Sequence, residues 1–420
     1  MKRFETAEKA IEYLNDCHWA VWKLGLSRTK DLLHLLGDPQ KKLKFVHIAG
    51  TNGKGSTCAM TESVLRHAGY KTGMFPSPFI ERFNERIQVN CEEIPDDDLA
   101  RITGIVADAA DSMDDHPRHF ELVTAIGMLW FAEQKCDIVV LEVGMGGEFD
   151  STNVIDPPEA AVICNIGLDH TQFLGNTVEE IAKTKGGIIK PGSAVVLYDN
   201  VPSVCSVIEK ITEEKGDRLY YARDVDLKPV SSSLKGQVFM AEGEEYTLSL
   251  LGRHQLQNAK VVLKIIESLR DKEWKIPLSA VREGLSSAKW PARFELLAED
   301  PVFILDGGHN PQCAEAMADA VSEYLPDTKV TFLIGMLGDK DYSRTLDIIS
   351  PYAAEFVTLT PESERALPAS ELAETIIKKG FKAEAFDDTD EGISCARSKG
   401  RPVIAFGSLY MAGSIRKRFH

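Results

Sequence analysis

The chain has 420 residues, of which 44% are hydrophobic and 27% are charged. One hydrophobic core seldom organises so many residues, so the length predicts two globular domains, and the composition excludes a disordered or fibrous chain. The net charge of -16 argues against nucleic acid as a partner, because a basic surface gains affinity for a polyanion by releasing its counterions, and an acidic chain does not. The net charge does not exclude binding of small anions, since hydrogen-bond donors and metal ions close to a binding site can outweigh the field of the whole chain.

The amino-terminal segment MKRFETAEKAIEYL lacks the uninterrupted apolar run of a signal peptide, and no later stretch has the length needed to span a bilayer. We expect a cytoplasmic, monomeric protein without a membrane partner. The eight cysteines occur singly and form no CxxC pair, so buried thiols are favoured over disulfides or a zinc site.

Apolar, β-branched runs alternate with segments of helical periodicity along most of the chain. The predicted strands are KFVHIAG, CDIVVLEVG, AAVICNIG, VFILDGG, KVTFLIGM and PVIAFGS. The predicted helices include GSTCAMTESVLRHAG, DDLARITGIVADAADSM, ELVTAIGMLWFAEQ and NPQCAEAMADAVSEYL. This alternation predicts an α/β fold with mostly parallel sheets, in which ligands bind beyond the carboxyl ends of the strands.

The alternation is interrupted between about residue 215 and about residue 250, where EGEEYTLSLLG predicts a hairpin, and it resumes after Phe303. We place the domain boundary in the polar stretch from Glu295 to Pro301. The predicted domains are therefore residues 1–296 and 297–420.

A glycine-rich turn, Gly50-Thr51-Asn52-Gly53-Lys54-Gly55-Ser56-Thr57, joins the first predicted strand to a helix. Glycines let backbone N–H groups approach phosphate oxygens, the helix N-terminus adds its dipole, and Lys54 supplies a cation. The hydroxyl of Ser56 or Thr57 can bind Mg²⁺. Because Ile48 stands where the strict Walker A spacing has glycine, this is a variant loop, and a tight connection without a ligand is the alternative.

Two further predicted strands end in polar residues, Glu142 and His170, which we expect at the same sheet edge as the phosphate loop. They could hold Mg²⁺ beside a γ-phosphate, although Mg²⁺ prefers oxygen ligands, and an exposed loop residue is the alternative for His170. Ser77 either adds an oxygen ligand or starts a proline turn. Lys185 and Lys190 either serve the phosphates or end a helix.

Taken in order, GTNGKGST, SPF…FNERI, HFELVTA, LEVGMGGEFDSTN, GLDHTQFLG and KGGIIKPG resemble the motifs of the folylpolyglutamate synthase and dihydrofolate synthase family of Mur ligases. The second half adds RHQ with Asn258, WPARFE, LDGGHNP, GDKD and GSLYMAG. The resemblance covers nearly the entire chain. It implies an N-terminal P-loop ATPase domain that also binds folate, and a smaller C-terminal Rossmann-like ligase domain.

The resemblance also implies the substrates, which are ATP, L-glutamate and a folate or dihydropteroate, and a role for each matching residue. The residues implied to hold the phosphates are Asn52, Gly53, Lys54, Gly55 and Ser56. One Mg²⁺ would be held by Ser77 and Glu142, and a second by His170 and a carbamylated Lys185.

Asn258, Arg293 and Asp306 are implied to contact ATP, with Asp306 at the ribose. The predicted catalytic residues are Lys54, Lys185, His309 and Ser408, the last two near the acyl phosphate and the incoming glutamate. The alternatives are a helix cap for Asp306 and a linker ion pair for Arg293.

Three residues depart from the family pattern: Phe79 replaces a usual histidine, Gly308 replaces an alanine, and Thr184 replaces a frequent glutamate. The implied reaction is ATP-dependent addition of L-glutamate to a folate and to dihydropteroate through an acyl phosphate. The alternatives are a Mur-type ligase acting on a different carboxylate and a non-catalytic nucleotide-binding module. Lys54, Glu142, His170 and Asp306 argue against the module.

Overall fold

The computed structural model describes residues 3–17 and 25–419. The chain divides into two compact units, and the division is not a single cut. The first unit comprises Met1–Leu227 and Gln257–Ser287, and the second comprises Lys228–Leu256 and Ala288–His420. Residues 228–256 therefore form an insertion: the chain contributes them to the second unit and then returns to the first.

The first unit is built on a sheet of eight strands in the order β4-β3-β2-β5-β1-β6-β7-β8. The strands are β1 (Phe45–Ala49), β2 (Thr72–Phe75), β3 (Gln88–Val89), β4 (Glu92–Glu93), β5 (Ile138–Glu142), β6 (Ala160–Ile163), β7 (Ala194–Leu197) and β8 (Arg218–Tyr221). The pairs β2–β3 and β3–β4 are antiparallel, and the other pairs are parallel. Every residue of β1, β5 and β6 is buried, as expected for central strands covered on both faces.

Helices cover both faces of this sheet. They are α1 (Ala7–Asp16), α2 (Ser27–Leu35), α3 (Lys54–His67), α4 (Asp96–Asp111), α5 (His119–Glu133), α6 (Thr171–Leu174), α7 (Val178–Gly186), α8 (Pro202–Lys215), α9 (Arg253–Asp271) and α10 (Leu278–Ser287). Apolar residues of α4 and α5 belong to one core cluster, and those of α7 and α8 belong to another. None of the helices in the described part of the chain combines the length and apolarity needed to cross a bilayer.

The second unit contains a three-stranded sheet and a six-stranded sheet, in the orders β11-β10-β9 and β12-β13-β17-β14-β15-β16. The strands are β9 (Leu227–Ser233), β10 (Gly236–Ala241), β11 (Glu244–Leu248), β12 (Glu295–Glu299), β13 (Val302–Asp306), β14 (Val330–Ile334), β15 (Ala353–Leu359), β16 (Ala383–Phe386) and β17 (Val403–Phe406). The helices are α11 (Pro311–Tyr324), α12 (Tyr342–Ile349), α13 (Ala369–Lys378), α14 (Thr389–Ser398) and α15 (Leu409–Arg416). All pairs of the larger sheet are parallel except β12 with β13.

The predicted hairpin is confirmed. Strands β10 and β11 pair antiparallel across the two-residue turn Glu242-Gly243, whose φ angles are 56° and 84°. Two positive φ angles are the geometry of the tight turns that match the twist of a hairpin. The predicted α/β class, with its parallel sheets and crossover helices, is confirmed as well.

The polar stretch chosen as the domain boundary is not a linker. Residues Glu295–Glu299 form β12, which pairs antiparallel with β13, so the position 296/297 lies inside one sheet of the second unit. The unit boundary comes earlier, between Ser287 and Ala288. The functional assignment of residues 1–296 and 297–420 stays a prediction.

All eight cysteines lie in the described residues and are free thiols. Cys58, Cys136, Cys164 and Cys205 are buried as predicted, whereas Cys91 is exposed in the turn between β3 and β4. Burial raises the pKa of the Cys164 thiol to about 11, so this side chain behaves as a small apolar group.

Candidate active site

The strand order of the first sheet brings the predicted site residues to one edge. Strand β1 lies between β5 and β6, and β2 lies on the other side of β5, all four in parallel. Their carboxyl ends lead into the phosphate loop, Glu142, the 165–170 segment and Ser77. The expectation that these segments share an edge is therefore confirmed.

The phosphate loop is held in a defined conformation by the segment after β6. The Thr51 N–H donates to the carbonyl of Asn165 at 2.7 Å, and the Thr51 hydroxyl donates to the carbonyl of Gly167 at 3.0 Å. Gly53 has φ 85° directly before α3, in the left-handed region that glycine occupies without strain. A Cβ atom at Gly53 would lie 2.5 Å from Oδ1 of Asn258, so any larger residue there would also have to displace the Asn258 side chain.

Lys54, Glu142 and Ser77 are brought together. The Lys54 Nζ atom lies 4.0 Å from Oε1 of Glu142 and donates to the carbonyl of Thr51 at 3.3 Å. The Glu142 side chain is only 4% exposed, and its Oε2 accepts from the Ser77 N–H at 3.1 Å. Arg86 donates to the Ser77 hydroxyl at 3.2 Å. A buried carboxylate, a hydroxyl and an ammonium group therefore lie beside the phosphate loop.

This donor set fits Mg²⁺ bound together with a nucleotide. Among residues 3–17 and 25–419, no group of three or more His, Cys, Asp or Glu side chains is arranged as a metal site. Mg²⁺ in nucleotide sites usually takes one or two carboxylates, with phosphate and water oxygens completing its shell. Glu142, with the hydroxyls of Ser77 and of the buried Ser56, provides that limited set.

His170 lies after β6 at the N-cap of α6, with φ 49° and an exposed side chain. Its backbone N–H donates to Oδ1 of Asp169 at 2.9 Å. Since imidazole nitrogen is a weaker ligand for Mg²⁺ than oxygen is, the metal-binding role of His170 stays a prediction.

Lys185 contacts the phosphate loop directly. It lies in the last turn of α7, is 4% exposed, and its Nζ donates to the carbonyl of Gly50 at 2.8 Å. Burial, reinforced by the charge of Lys54, lowers the pKa of Lys185 to about 7. Lys190 differs, because its Nζ donates to the carbonyls of Asn153, at 2.9 Å, and Ile155.

A hydrogen-bonded frame joins the end of β5 to the end of α7. The Asp150 carboxylate accepts from the Met145 N–H at 2.9 Å, which closes the loop after Glu142. The Asn153 amide donates to the carbonyls of Glu148 and Gly187, each at 3.1 Å. Sequence reasoning assigned no role to Asp150 or Asn153, although the carboxylate and amide in the run FDSTN after a buried strand are a usable signal.

The second unit gathers its own set of predicted residues at the ends of β13 and β17, which are parallel neighbours. Asp306 accepts from the Gly308 N–H at 2.7 Å and from the Phe294 N–H at 2.9 Å. Its helix-cap alternative is wrong, because Asn310 caps α11 by accepting from the Cys313 N–H at 2.9 Å.

Arg293, His309 and Ser408 belong to the same unit. Arg293 donates to the carbonyl of Ala292 at 3.0 Å, and the His309 ring lies 3.4 Å from the carbonyl oxygen of Gly307. The buried Ser408 caps α15 and accepts from the Tyr410 N–H at 3.2 Å.

Comparison with known proteins first defines the class. Residues 48–266 match the Mur ligase middle domain, and residues 292–409 match the Mur ligase, glutamate ligase domain. The phosphate loop with Lys54 and Glu142 lies in the first match, so the fold and site define an ATP-dependent ligase of the Mur type.

The particular family follows from relatives that the chain covers almost completely. The chain is 37% identical to the dihydrofolate synthase/folylpolyglutamate synthase of Bacillus subtilis, over 94% of this chain and 95% of the relative. It superposes on the folylpolyglutamate synthase of Thermotoga maritima with a TM-score of 0.87 at 32% identity, covering 98% and 96% of the two chains. Escherichia coli FolC in complex with DHPP and ADP gives a TM-score of 0.86 at 28% identity, covering 99% and 97%. The chain belongs to the folylpolyglutamate synthase and dihydrofolate synthase family and is an ATP-dependent glutamate ligase.

Proposed function

We propose that the protein adds L-glutamate both to dihydropteroate and to a folate that already carries glutamate. The Bacillus subtilis relative bears both enzyme names, which supports the dual activity. The observation that best supports ATP-dependent catalysis is the buried Glu142 carboxylate, which lies 4.0 Å from the Lys54 ammonium group beside the phosphate loop.

The chemistry begins with activation of a carboxylate, whose oxygen is otherwise a poor leaving group. A carboxylate oxygen of the folate or dihydropteroate attacks the γ-phosphorus of ATP, the bond to the ADP oxygen breaks, and an acyl phosphate forms. Lys54 and Arg293 neutralise charge that develops on the transferred phosphoryl group. Mg²⁺, held by Glu142 with Ser77 and Ser56, supplies further charge neutralisation when it is bound.

Amide formation completes the reaction. The ammonium group of glutamate loses a proton to solvent, and the resulting amine attacks the acyl carbon. The tetrahedral intermediate loses a second proton from nitrogen and expels inorganic phosphate, which leaves the amide. We assign His309 and Ser408 to the neighbourhood of the acyl phosphate and glutamate, and Asn258 and Asp306 to ATP. The Asp306 carboxylate can accept hydrogen bonds from ribose hydroxyls, as a carboxylate at a strand end commonly does.

Lys185 is proposed to act as a carbamate formed with carbon dioxide. Carbamylation requires the neutral amine, and the burial that lowers the Lys185 pKa to about 7 favours that form near neutral pH. A carbamate would provide anionic oxygen to a second Mg²⁺ together with His170, whereas an ammonium group would repel the metal.

The overall proposal is tested with purified protein, MgATP and glutamate, offered dihydropteroate or tetrahydrofolate separately, with products identified by mass. Addition of one glutamate residue to each acceptor, with matching ADP release, is the expected result. Product from only one acceptor would contradict the proposed dual activity. ATP binding without ADP release or product would point to the non-catalytic nucleotide-binding module instead.

The carbamate is tested through Lys185→Ala, which should be nearly inactive and partly rescued by a small added carboxylate. Lys185→Arg should stay inactive although it keeps the positive charge. An active Lys185→Arg variant, or a 13C label from carbon dioxide that never appears on the native protein, would contradict the carbamate while leaving the ligase assignment intact.

A further inference from the structure

Three polar side chains that the mechanism above does not use meet on the second unit. Arg365 Nη1 lies 2.9 Å from Oδ2 of Asp339, and Arg365 Nη2 lies 3.5 Å from the hydroxyl of Tyr410. The side chains of Arg365 and Asp339 are 49% and 40% exposed, and Tyr410 is 48% exposed. The cluster therefore faces solvent and is accessible to a small ligand.

The backbone holds this cluster in place. The Gly338 N–H donates to the carbonyl of Arg365 at 2.8 Å, and Leu337 and Ala366 form an isolated antiparallel bridge. Tyr410 is fixed from the other side, because its N–H donates to the Ser408 hydroxyl oxygen. Asp339 and Arg365 thus come from two loops that are hydrogen-bonded to each other, and Tyr410 comes from the first turn of α15.

The two loops follow β14 and β15, and α15 follows β17; the three strands are adjacent and parallel in the order β17-β14-β15. Ligands of open α/β sheets bind at the carboxyl ends of the strands, so the cluster occupies the edge where a substrate is expected. Ser408, already assigned to the glutamate side of the reaction, lies two residues before Tyr410 at this edge.

An exposed ion pair alone contributes little, typically about 0–1 kcal/mol, so stability is a weak reason for this arrangement. A guanidinium has five N–H donors in a planar fork. Within the described residues, the contacts with Asp339 and Tyr410 use two of them, so N–H groups remain that can donate to a planar anion. Arg365 is therefore pre-oriented by its neighbours and still able to bind.

Resting on the proposed function, we propose that Arg365 binds the side-chain carboxylate of the incoming L-glutamate and selects a dicarboxylic amino acid. Asp339 and Tyr410 are positioning residues that hold the guanidinium. Free glutamate carries two carboxylates, and a chain with a net charge of -16 needs local cations or hydrogen-bond donors to bind such an anion. Arginine is the side chain best matched to a carboxylate, because two N–H groups can bind its two oxygens.

The test compares Arg365→Ala and Arg365→Lys with Arg344→Ala in the full chain. Arg344, on α12 of the same unit, is a matched control because it is 66% exposed and paired with Glu315 at 3.8 Å. Loss of hydrogen bonds to a charged group should raise the KM for glutamate by roughly 10- to 100-fold in Arg365→Ala. Arg365→Lys should show a smaller rise, and Arg344→Ala none.

Two further readouts separate binding from a general structural effect. The preference for glutamate over glutamine should fall in Arg365→Ala, while the KM values for ATP and for the folate stay within about twofold of native. Acyl phosphate formation needs no glutamate, so exchange of a bridging 18O label within ATP, measured with the folate alone, should be unchanged. Parallel rises in all three KM values would overturn the assignment.

An unchanged KM for glutamate in Arg365→Ala, or an equal rise in Arg344→Ala, would also overturn it. If Arg365→Ala did not fold, a native KM in Arg365→Lys together with native selectivity would count against the proposal in the same way. These outcomes differ from failure of the proposed function, in which the native protein itself would not join glutamate to either acceptor.

Discussion

Lys54 is the residue whose charge the proposed chemistry uses most directly. Removing it in Lys54→Ala should lower kcat by roughly 100- to 1000-fold, because a preorganised charge on the transferred group is lost. The fold should persist, since the Lys54 side chain is 17% exposed and contributes charge to the loop rather than packing to a core.

The exposed lysine Lys210 of α8 provides the control, because its side chain is 77% exposed and pairs weakly with Glu214 at 4.0 Å. Lys210→Ala should keep native kcat, and both variants should unfold within a few degrees of the native protein by circular dichroism. Native turnover by Lys54→Ala would refute its assignment as a catalytic residue.

The buried Lys185 makes stability depend on pH. Its pKa is about 7 in the folded protein and 10.5 in its usual environment, so between these values the unfolded chain binds more protons. Stability contributed through this group therefore rises with pH across that window, and the contribution is constant below about pH 7. Lys185→Met removes the titration.

The unfolding free energies of Lys185→Met and native protein, measured by urea denaturation in buffers free of carbon dioxide, should show this difference. Any advantage of the methionine variant should shrink as the pH rises from about 7 to about 9. A difference that stays constant over this range would mean that Lys185 is not buried as a low-pKa amine.

Individual site residues were predictable from sequence to different degrees. Lys54 follows from the glycine-rich turn and Glu142 from a strand that ends in a polar residue, and the structure brings the two side chains within 4.0 Å. Lys185 and Lys190 could not be separated, because Lys185 lies in the last turn of one helical segment, Lys190 follows closely after it, and only their tertiary contacts differ. Lys185 contacts Gly50 in the phosphate loop, whereas Lys190 binds carbonyls of the 153–155 segment.

At the scale of elements, the phosphate loop is coupled to α9 through Gly53 and Asn258. Gly53→Ala places a Cβ 2.5 Å from Oδ1 of Asn258 and also puts alanine at φ 85°. Asn258→Ala should remove the close contact but leave the backbone strain of alanine at a positive φ. We therefore expect the destabilisation of the double variant to be smaller than the sum of the single variants, by about 0.5–3 kcal/mol.

Chemical denaturation of native protein, both single variants and the double variant measures this coupling without involving ATP. Gly69→Ala serves as a control for backbone conformation, since Gly69 has φ 91° and open space around its Cβ position. Strictly additive effects of Gly53→Ala and Asn258→Ala would show that the close approach does not constrain the loop.

The long apolar strands were predictable, and the short or exposed ones were not. KFVHIAG and CDIVVLEVG become β1 and β5 because continuous burial leaves a local signature of β-branched residues. Strands β3 and β4 have two residues each, and β9 is exposed along most of its length. Such segments form through pairing with a neighbour, which no local pattern encodes.

At the scale of the whole molecule, the chain leaves the first unit at Leu227 and returns at Gln257. The hairpin in this insertion was predictable from the sequence. The unit that it joins was not predictable, because membership of a unit depends on contacts with residues distant in the sequence. Leu251 belongs to the same core cluster as Phe294. The Gly252 N–H donates to the Tyr324 hydroxyl at 3.0 Å, and Arg253 pairs with Glu323 at 3.1 Å.

This interleaving predicts the behaviour of a chain shortened to end at Leu296. Residues 45–227 should keep their fold, since the eight-stranded sheet and its core clusters lie within the first unit. Residues 228–256 should become disordered, because the shortened chain lacks Tyr324, Glu323 and the rest of α11. The protein should not ligate glutamate, because His309 and Ser408 are also missing.

Hydrogen exchange measured by mass spectrometry distinguishes the two regions. Peptides from 45–227 should exchange as slowly as in the native chain, while backbone amides of β9, β10 and β11 should exchange within seconds, because opening of this sheet would cost little free energy without α11. The full-length variant Tyr324→Phe is the matched control: it loses only the hydroxyl that accepts from Gly252 and should keep β10 and β11 protected. Native protection of 228–256 in the shortened chain would show that this sheet is stable without the second unit, and native ligation would contradict the proposed role of that unit in the reaction.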